Sequence, residues 1–320
     1  EVIQSGSREG INALMSTCCF SKNSFDSRDI AFRLAPRLNA AGRIAHANTD
    51  YELLTALQKE EALPIAQHLD QLNLERQELE KKIMDEILIT IEKKSRLSEK
   101  KSLVLWGRDW PEGVLGIVAS RLTEKFFRPV ILIAVRDGLG KGSARSIPGF
   151  HIYDGLCQCG HCLEDFGGHS MAAGIKLKDK NIDLFSETFD SIVRKSTLDR
   201  DFIPELCIDY ELNFDEVSSH LIDEMESLEP WGVENPEPLF MAKSITVHDC
   251  KAVGRNHRRM VLGQSGGVTG KKFSAIQFNV DPDLPVVNFF DRLAFRLRWN
   301  RWNGTKVAQI VIEDFDYEEI

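Results

Sequence analysis

Two short stretches of the chain combine small residues with side chains that bind anions. The first is KGSARSIPG (141–149), in which Ser143 and Arg145 alternate along an extended segment between glycines. A hydroxyl and a guanidinium on one face can hold one phosphate, because arginine offers a bidentate fork of N–H donors. A surface strand with an incidental arginine explains the same residues, so both interpretations stay open on the pattern alone.

The second stretch is FGGHSMAAG (166–174). Glycine loses more backbone freedom on folding than any other residue, so two in succession need a reason. The preceding segment, 151–166, is predicted to be a helix, with Gly167 as the left-handed residue that ends it. Gly168 and His169 are then expected to line a site where an anion approaches the main chain closely. A buried structural histidine beside a tight turn is the alternative.

A third cluster, CQCGHC (157–162), suggests zinc. Structural zinc sites usually take two separated pairs of ligands. The cysteines and histidine here lie on one predicted helix and would point in different directions, so the pattern favours Cys159 as a small core residue. The chain has seven cysteines, an odd number, and no recognisable secretion signal, which predicts reduced thiols in the cytoplasm.

The composition is typical of a soluble protein with two or three domains. The chain has 320 residues, of which 42% are hydrophobic and 28% charged. No segment approaches the ~20 apolar residues that a membrane helix needs, so no membrane partner is predicted. The opening EVIQSGSREG has no initiating methionine, and we expect the sequence to be a piece of a longer chain.

The two anion-binding stretches belong to a predicted α/β domain. SLVLWG (102–107) and PVILIAV (129–135) are predicted to be buried strands, and GVLGIVASRLTEKF (113–126) between them an amphipathic helix. AAGIKLK (172–178) is predicted to be a further strand, and NIDLFSETFDSIVRKS (181–196) a closing helix.

Upstream of this domain, apolar residues recur every three or four positions from Leu63 to Ile91. This spacing predicts one long helix that starts near Pro64. About 30 residues would make a rod of ~45 Å. Its single narrow apolar stripe favours a connector between two bodies, although a plain bundle helix fits the pattern nearly as well.

The last third of the chain has a different pattern. Short alternating strands separated by glycines predict a small barrel of the oligonucleotide-binding (OB) type between 244 and 315. Residues 243–306 carry twelve Lys and Arg against four Asp, a net charge of +8, although the whole chain has −9.

Basic and aromatic residues mixed on a small barrel favour single-stranded nucleic acid. Alternatively, the aromatic side chains lie in the core and the charges are merely solvated. The residues expected to contact the strand are Arg255, His257, Arg258, Arg259, Lys271, Lys272, Arg298 and Trp299.

Five motifs, in this order, resemble the RecJ family of single-strand-specific 5′→3′ DNA exonucleases, within the DHH phosphoesterase superfamily. They are LAPRLNAAGRI (34–44), DWPEGVLGIVASRL (109–122), KGSARSIPGFHIYDGL (141–156), FGGHSMAAG (166–174) and PWGVENPEPLF (230–240). The resemblance extends over essentially the whole chain. It implies the end of a DHH catalytic domain (1–48), connector helices (49–98), a DHH-associated α/β substrate-binding domain (99–199) and an OB-type DNA-binding domain (200–320).

The resemblance also implies a function in DNA repair and recombination. Members of this family hydrolyse single-stranded DNA from its 5′ end with two ions, Mn²⁺ or Mg²⁺, held by Asp and His. Ser143 and Arg145 would bind phosphate, and Asn39 and Arg43 would lie at the edge of the cleft. Gly167, Gly168 and His169 would line that cleft. A single-stranded-DNA-binding protein is a further expected partner.

Two features depart from the family pattern. No Asp-His-His tripeptide occurs in the 320 residues, so the metal ligands are expected outside this chain. No catalytic residue or bound metal is therefore assigned within it, and the 320 residues alone are expected not to cleave DNA. Pro111 stands where the family usually has histidine, and no role is carried over to it.

Two alternatives remain. One is a non-catalytic module that binds single strands. The other is a DHH-superfamily phosphodiesterase acting on short RNA, which generally lacks the appended barrel.

Overall fold

A five-stranded sheet carries both of the stretches that are predicted to bind anions. The chain divides into two units, residues 1–204 and 205–320. The computed structural model describes residues 6–18, 27–45, 48–93, 99–254, 256–280, 285–302 and 305–317.

The sheet of the first unit contains β1 (Leu103–Arg108), β2 (Val130–Arg136), β3 (Leu139–Arg145), β4 (Asp165–Gly168) and β5 (Ala172–Lys178). Their order across the sheet is β1-β2-β3-β5-β4. Strands β1 and β2 are parallel and all other pairs are antiparallel. Parallel neighbours need a crossover connection, and the predicted helix between these two strands provides it.

Helices cover both faces of this sheet. Helix α4 (Lys59–Lys93) and the crossover helix α5 (Glu112–Phe126) pack on one face. Helices α6 (Ile152–Gln158) and α7 (Ile182–Ser196) pack on the other. The side chains of β2 alternate between the two cores, which explains why every residue from 130 to 135 is buried.

Three shorter helices pack against the first half of α4. They are α1 (Glu9–Thr17), α2 (Ala35–Ile44) and α3 (Asn48–Thr55). A helical turn at Ser27–Asp29 and a π-helical segment at Ile30–Leu34 lead into α2. This arrangement presents one end of α2 to the crossover helix α5.

The predicted start of the long helix near Pro64 is wrong. Helix α4 has 35 residues, ~52 Å of rise, and begins at Lys59. Ala62 and Ala66 are fully buried against the shorter helices, so the packed stripe extends back past the proline. Glu60 and Glu61 in the first turn favour this start, because carboxylates stabilise the positive end of the helix dipole.

The predicted helix over 151–166 is also wrong in its second half. Helix α6 ends at Gln158, a 3₁₀ turn spans Gly160–Cys162, and β4 follows. Cys159 is fully buried in the core, as predicted, and Cys162 is buried beside it. Phe166 packs on Tyr153 as a strand residue, with ring centroids 5.8 Å apart.

The second unit is a closed barrel, which confirms the predicted OB-type fold. Its strands are β7 (Phe240–Val253), β8 (His257–Gln264), β9 (Lys272–Gln277), β10 (Phe289–Trp302) and β11 (Thr305–Asp316). Strand β10 pairs with both β11 and β7, which closes the sheet.

Two smaller elements accompany this barrel. They are the short strand β6 (Tyr210–Glu211), parallel to β7, and helix α8 (Ser219–Ser227). In the described part of the chain, no helix has the length and apolar character that spanning a membrane requires.

Candidate nucleic-acid interface

Ser143 and Arg145 lie on the face of β3 that carries helix α5. The Arg145 Nε donates to Ser120 Oγ at 3.1 Å. Its Nη1 donates to Ser143 Oγ at 3.1 Å and to the Ala144 carbonyl at 2.8 Å. Since Ser143 Oγ already accepts one hydrogen bond, its own proton is left to donate to a ligand.

Gly116 of helix α5 makes room for this pair. A Cβ built on Gly116 would lie 2.7 Å from Arg145 Nη2 and 3.1 Å from Ser143 Oγ. Gly116 is not among the predicted site residues, although two glycines inside a predicted amphipathic helix are a signal of close packing. The close approach explains why a helix tolerates a residue of such low helix propensity here.

The second glycine, Gly113, brings α2 against α5. A Cβ on Gly113 would lie 2.1 Å from the Arg43 carbonyl oxygen, and Arg43 Nη1 donates to the Gly113 carbonyl at 3.1 Å. Asn39 is exposed four residues before Arg43, on the same face of α2. No hydrogen bond from Asn39 places it in the site, so its role remains a prediction.

Arg43 and Arg145 converge on one region. Burial lowers the pKa of the Arg145 guanidinium, and the positive charge of Arg43 lowers it further. Neither guanidinium is paired with a carboxylate among the residues that the structure describes. A half-buried Arg145 and an exposed Arg43, neither with a counter-charge, favour binding of an anion between them.

Next to this pair, part of the sheet surface is formed by glycines and carries almost no side chains; we call it the glycine floor. Ser143, Gly174 and Gly167 lie opposite one another on β3, β5 and β4. A Cβ on Gly167 would meet nothing within 4 Å, and one on Gly174 only the Gly142 carbonyl at 4.0 Å. The next row, Lys141, Lys176 and Asp165, borders this floor. A cavity of about 510 Å³ lies over both rows, closed on one side by Glu112 and Leu115 of α5.

The structure distinguishes the two consecutive glycines, Gly167 and Gly168. Gly167 is a strand residue of β4, so its prediction as a helix end is wrong. Gly168 has a φ of +155°, and a Cβ on it would lie 2.3 Å from the Ala172 carbonyl oxygen. The fold therefore requires glycine at 168, whereas no neighbour restricts the side chain at 167.

His169 begins the tight turn between β4 and β5. Its backbone N–H donates to the Ala172 carbonyl at 2.8 Å. The Ser170 and Met171 carbonyls accept from Ile152 N and Ser146 N, both at 2.9 Å, which ties the turn to the domain. The side chain is exposed, so the interpretation as a buried structural histidine is wrong.

On the barrel, the cations of β10 and β11 are largely paired. Arg298 forms a bidentate ion pair with the buried carboxylate of Glu237. Trp299 Nε1 donates to Asp223 at 2.8 Å, and Lys306 lies 4.3 Å from the Trp299 ring centroid. The acidic partners lie outside residues 243–306, so the net charge of that window overstated the positive potential of this side.

The other predicted contacts on the barrel differ in accessibility. Lys271 Nζ donates to the Asp215 and Val217 carbonyls at 2.9 and 3.0 Å. Arg258 Nη1 donates to the Pro285 carbonyl at 3.0 Å. Arg259 and Lys272 are exposed, His257 is half-buried, and Arg255 lies outside the described residues. As nucleic-acid contacts, all eight predicted residues remain predictions.

The described residues do not fit a metal centre. No three His, Cys, Asp or Glu side chains among them lie close enough to hold an ion. In the CQCGHC segment, Cys157 is exposed while Cys159 and Cys162 are buried. Burial, and to a lesser degree Cys162, raises the pKa of Cys159 to about 12, so its thiol stays protonated at neutral pH. No chemical step through a metal is derived from these residues.

Two family models match the chain. Residues 99–195 match the DHHA1 domain, and residues 208–314 match the RecJ OB domain. The chain thus contains an α/β DHHA1 domain followed by an OB domain, and this pair of domains defines its class of protein.

Relatives and solved structures agree with these models. The single-stranded-DNA-specific exonuclease RecJ of Salmonella typhimurium is 36% identical over 96% of this chain and 54% of its own length. That of Bacillus subtilis is 31% identical over 98% of this chain and 40% of its own length. A crystal structure of RecJ with Mn²⁺ from Thermus thermophilus superposes with a TM-score of 0.83 at 26% identity, covering 99% of this chain and 45% of that one.

The chain carries the DHHA1 and RecJ OB domains and matches the C-terminal part of these RecJ relatives. It spans about half the length of the curated relatives that it matches.

Proposed function

We propose that this chain is the strand-holding part of a RecJ-type 5′→3′ exonuclease specific for single-stranded DNA. The observation that carries the proposal is the convergence of Arg43 and Arg145, which have no carboxylate partner among the described residues. Ser143 adds a hydroxyl donor next to them. Three donors around one point suit the phosphate at the 5′ end of a strand.

The glycine floor would hold the nucleotide that follows this phosphate. With no side chain at 167 or 174, the sugar and base can lie directly on the sheet. Lys141 and Lys176 border the floor on one side. Asn39, Gly168 and His169 would lie along its edges.

The barrel would bind the strand beyond this end, because OB domains bind single strands with basic and aromatic side chains. The names of the relatives, single-stranded-DNA-specific exonuclease, support this choice of ligand. A role in DNA repair and recombination, a cytoplasmic location and a single-stranded-DNA-binding protein as partner all belong to this proposal.

Hydrolysis would need divalent metal ions, and solved relatives hold Mg²⁺ or Mn²⁺. Because the described residues offer no ligand set, the metal ligands would lie elsewhere in the whole protein. We therefore expect the 320-residue chain to bind single strands without cutting them.

Binding of strands with and without a 5′ phosphate tests the site. Arg145→Ala should lower affinity for the 5′-phosphorylated strand about tenfold or more, and affinity for the 5′-hydroxyl strand much less. Arg108→Ala, on an exposed position of edge strand β1, is the matched control and should change neither affinity. Equal losses on both strands for Arg145→Ala would overturn the assignment of a 5′-phosphate site.

The non-catalytic alternative is tested with 5′-labelled DNA and Mn²⁺. Release of nucleotides by the whole protein, but not by the 320-residue chain, supports the proposal. If the whole protein releases none, the chain belongs to a binding protein instead. Release by the 320-residue chain alone would contradict the placement of the metal ligands. An equal rate on RNA would favour the phosphodiesterase alternative, which the appended barrel argues against.

A further inference from the structure

We propose that His248, lying against Gly263 on the outer face of strands β7, β8 and β9, is a stacking site for a base of single-stranded nucleic acid. The proposal rests on the proposed function for its class of ligand. It adds a site that none of the sequence motifs contains.

The charge pattern of the barrel separates this face from the opposite side. On β10 and β11, Arg292, Arg296, Arg298, Arg301 and Lys306 are all paired with carboxylates. On β8 and β9, Arg259 and Lys272 have no carboxylate partner among the described residues, and both are exposed. A polyanion therefore meets unpaired positive charge on the β8–β9 face and largely neutralised charge on the other.

The strand register places both cations on one surface. Gly263 lies opposite Lys272, and Arg259 lies opposite Ile276. Residues that alternate with these, Met260, Leu262 and Ala275, point into the barrel core. The outward surface of β8 and β9 thus carries Arg259, Val261, Gly263, Lys272 and Ser274, with no acidic side chain on either strand.

His248 lies over one end of this surface because of two local features. A β-bulge between Val247 and Asp249 leaves His248 as the extra residue of β7, and its side chain is exposed. A Cβ on Gly263 would lie 2.6 Å from His248 Nε2 and 3.1 Å from Cδ2. The imidazole therefore rests against the bare backbone of Gly263.

A Cβ on Gly263 would also lie 3.6 Å from Lys272 Cγ, so the aliphatic part of the lysine lies beside the imidazole. Asp249 is the carboxylate nearest to His248 in sequence, and it is already paired with Lys251 at 3.0 Å. A flat exposed ring with a lysine beside it is the arrangement that single-strand binders use: the base stacks on the ring, and the cation contacts the phosphate.

A second exposed ring lies at the far end of the same surface. Phe278 is 52% exposed and packs edge-on against His257, with ring centroids 5.2 Å apart. His257 and Gly263 are separated by six positions of β8, about 20 Å. His248 at one end and Phe278 at the other, with Arg259 between them, define a surface long enough to bind several nucleotides.

The test uses the 320-residue chain and a circular oligothymidine, which has no 5′ end and so does not report on Arg145. His248→Ala should weaken binding of this circle about fivefold or more, whereas His248→Phe should retain it. His220→Ala is the matched control, since His220 is an exposed histidine on helix α8. A second circle of the same charge, with abasic residues in place of thymidine, separates stacking from electrostatic attraction.

Wild-type protein should bind the abasic circle more weakly than the thymidine circle, and His248→Ala should reduce that difference. Gly263→Val, which fills the space under the imidazole, should reproduce the effect of His248→Ala, with folding checked by circular dichroism. Equal affinity of wild type and His248→Ala for the thymidine circle would overturn the proposal, as would equal affinity of wild type for both circles. Either result leaves the 5′-phosphate test of Arg145 unaffected.

Discussion

A Cβ on Gly116 would lie 2.7 Å from Nη2 of Arg145. Helix α5 therefore approaches β3 closely enough that any side chain at residue 116 would collide with the guanidinium. The same helix supplies Ser120, whose hydroxyl oxygen accepts from Arg145 Nε at 3.1 Å. Two successive turns of α5 therefore fix the position of Arg145: Gly116 leaves space for the guanidinium, and Ser120 accepts its hydrogen bond.

Gly116→Ala should reduce binding of a 5′-phosphorylated strand about tenfold, because Arg145 must move out of its hydrogen bonds with Ser120 and Ser143. Alanine in a helix interior normally stabilises by about 1 kcal/mol relative to glycine. Here the collision should cancel that gain, so the thermal midpoint should not rise. Fluorescence anisotropy and thermal unfolding measure the two effects.

The matched control for that substitution is Gly160→Ala, since a Cβ at Gly160 meets only Phe166, at 4.0 Å. It should leave strand binding unchanged. A Gly116→Ala protein that is more stable and binds normally would contradict the close approach of α5 to Arg145.

The consecutive glycines of β4 should respond differently to the same change. Gly168→Ala should destabilise the protein by about 1–3 kcal/mol, because its backbone conformation and the Ala172 carbonyl exclude a Cβ. Gly167→Ala should leave stability within about 0.5 kcal/mol of wild type, but should weaken strand binding if the floor holds a nucleotide. Urea unfolding and anisotropy on both variants test this. Equal destabilisation by the two substitutions would contradict the difference in steric restriction between Gly168 and Gly167.

Local patterns were enough to predict most of the secondary structure. The buried runs at 102–107 and 129–135 fit strands because β1 and β2 are parallel neighbours in a sheet that helices cover on both faces. The spacing of Leu156, Cys159, Leu163 and Phe166 fits a helix equally well, yet β4 starts at Asp165. All four side chains contact the same core, and they could do so from a helix or from a strand. The periodicity of apolar residues alone therefore could not locate the end of the helix.

The geometry of the site depends on residues far apart in sequence. Ser143 and Arg145 were predicted as a phosphate pair, but Gly116 lies 29 positions before Arg145 and meets it only because α5 crosses over the sheet. On the barrel, Glu237 pairs with Arg298 from 61 positions away. A charge count over residues 243–306 cannot include such partners, so it overestimates the unpaired positive charge on β10 and β11.

Removing the buried negative charge of Glu80, on helix α4, should lower the free energy of unfolding substantially. Its carboxylate is fully buried and pairs with Arg76 of the same helix and with Arg121 of α5. Glu80 Oε2 lies 3.2 Å from Arg121 Nη2. The second Nη of Arg76 donates to Asn73 Oδ1. Glu80→Gln should destabilise by about 3–5 kcal/mol, because Arg76 is left buried without a counter-charge. Urea unfolding measures this loss.

Glu78→Gln, at an exposed position of the same helix, is the matched control and should stay within about 0.5 kcal/mol of wild type. A cost for Glu80→Gln no larger than that of the control would mean that Arg76 is neutralised without Glu80.

Asp215 should make the stability of the barrel depend on pH. Its carboxylate accepts hydrogen bonds from the Thr269 hydroxyl and from the backbone N–H groups of Val268 and Thr269, at 2.7 and 3.2 Å for the latter two. The Thr269 hydroxyl, followed by the Val268 N–H, lowers the pKa of Asp215 below its usual value. The charged form is therefore favoured in the folded state, and its contribution is present above the usual pKa of about 4 and lost as the pH falls below it.

Asp215→Asn should consequently lower the urea midpoint at pH 7, and the difference from wild type should shrink as the pH is lowered from 5 towards 3. Glu234→Gln, at an exposed position of the same unit, should show no such trend. Amide hydrogen exchange of Val268 and Thr269 should accelerate in Asp215→Asn at neutral pH, because both N–H groups donate to the lost carboxylate. A difference in midpoint that is the same at pH 7 and pH 3 would show that the charge of Asp215 does not hold this loop.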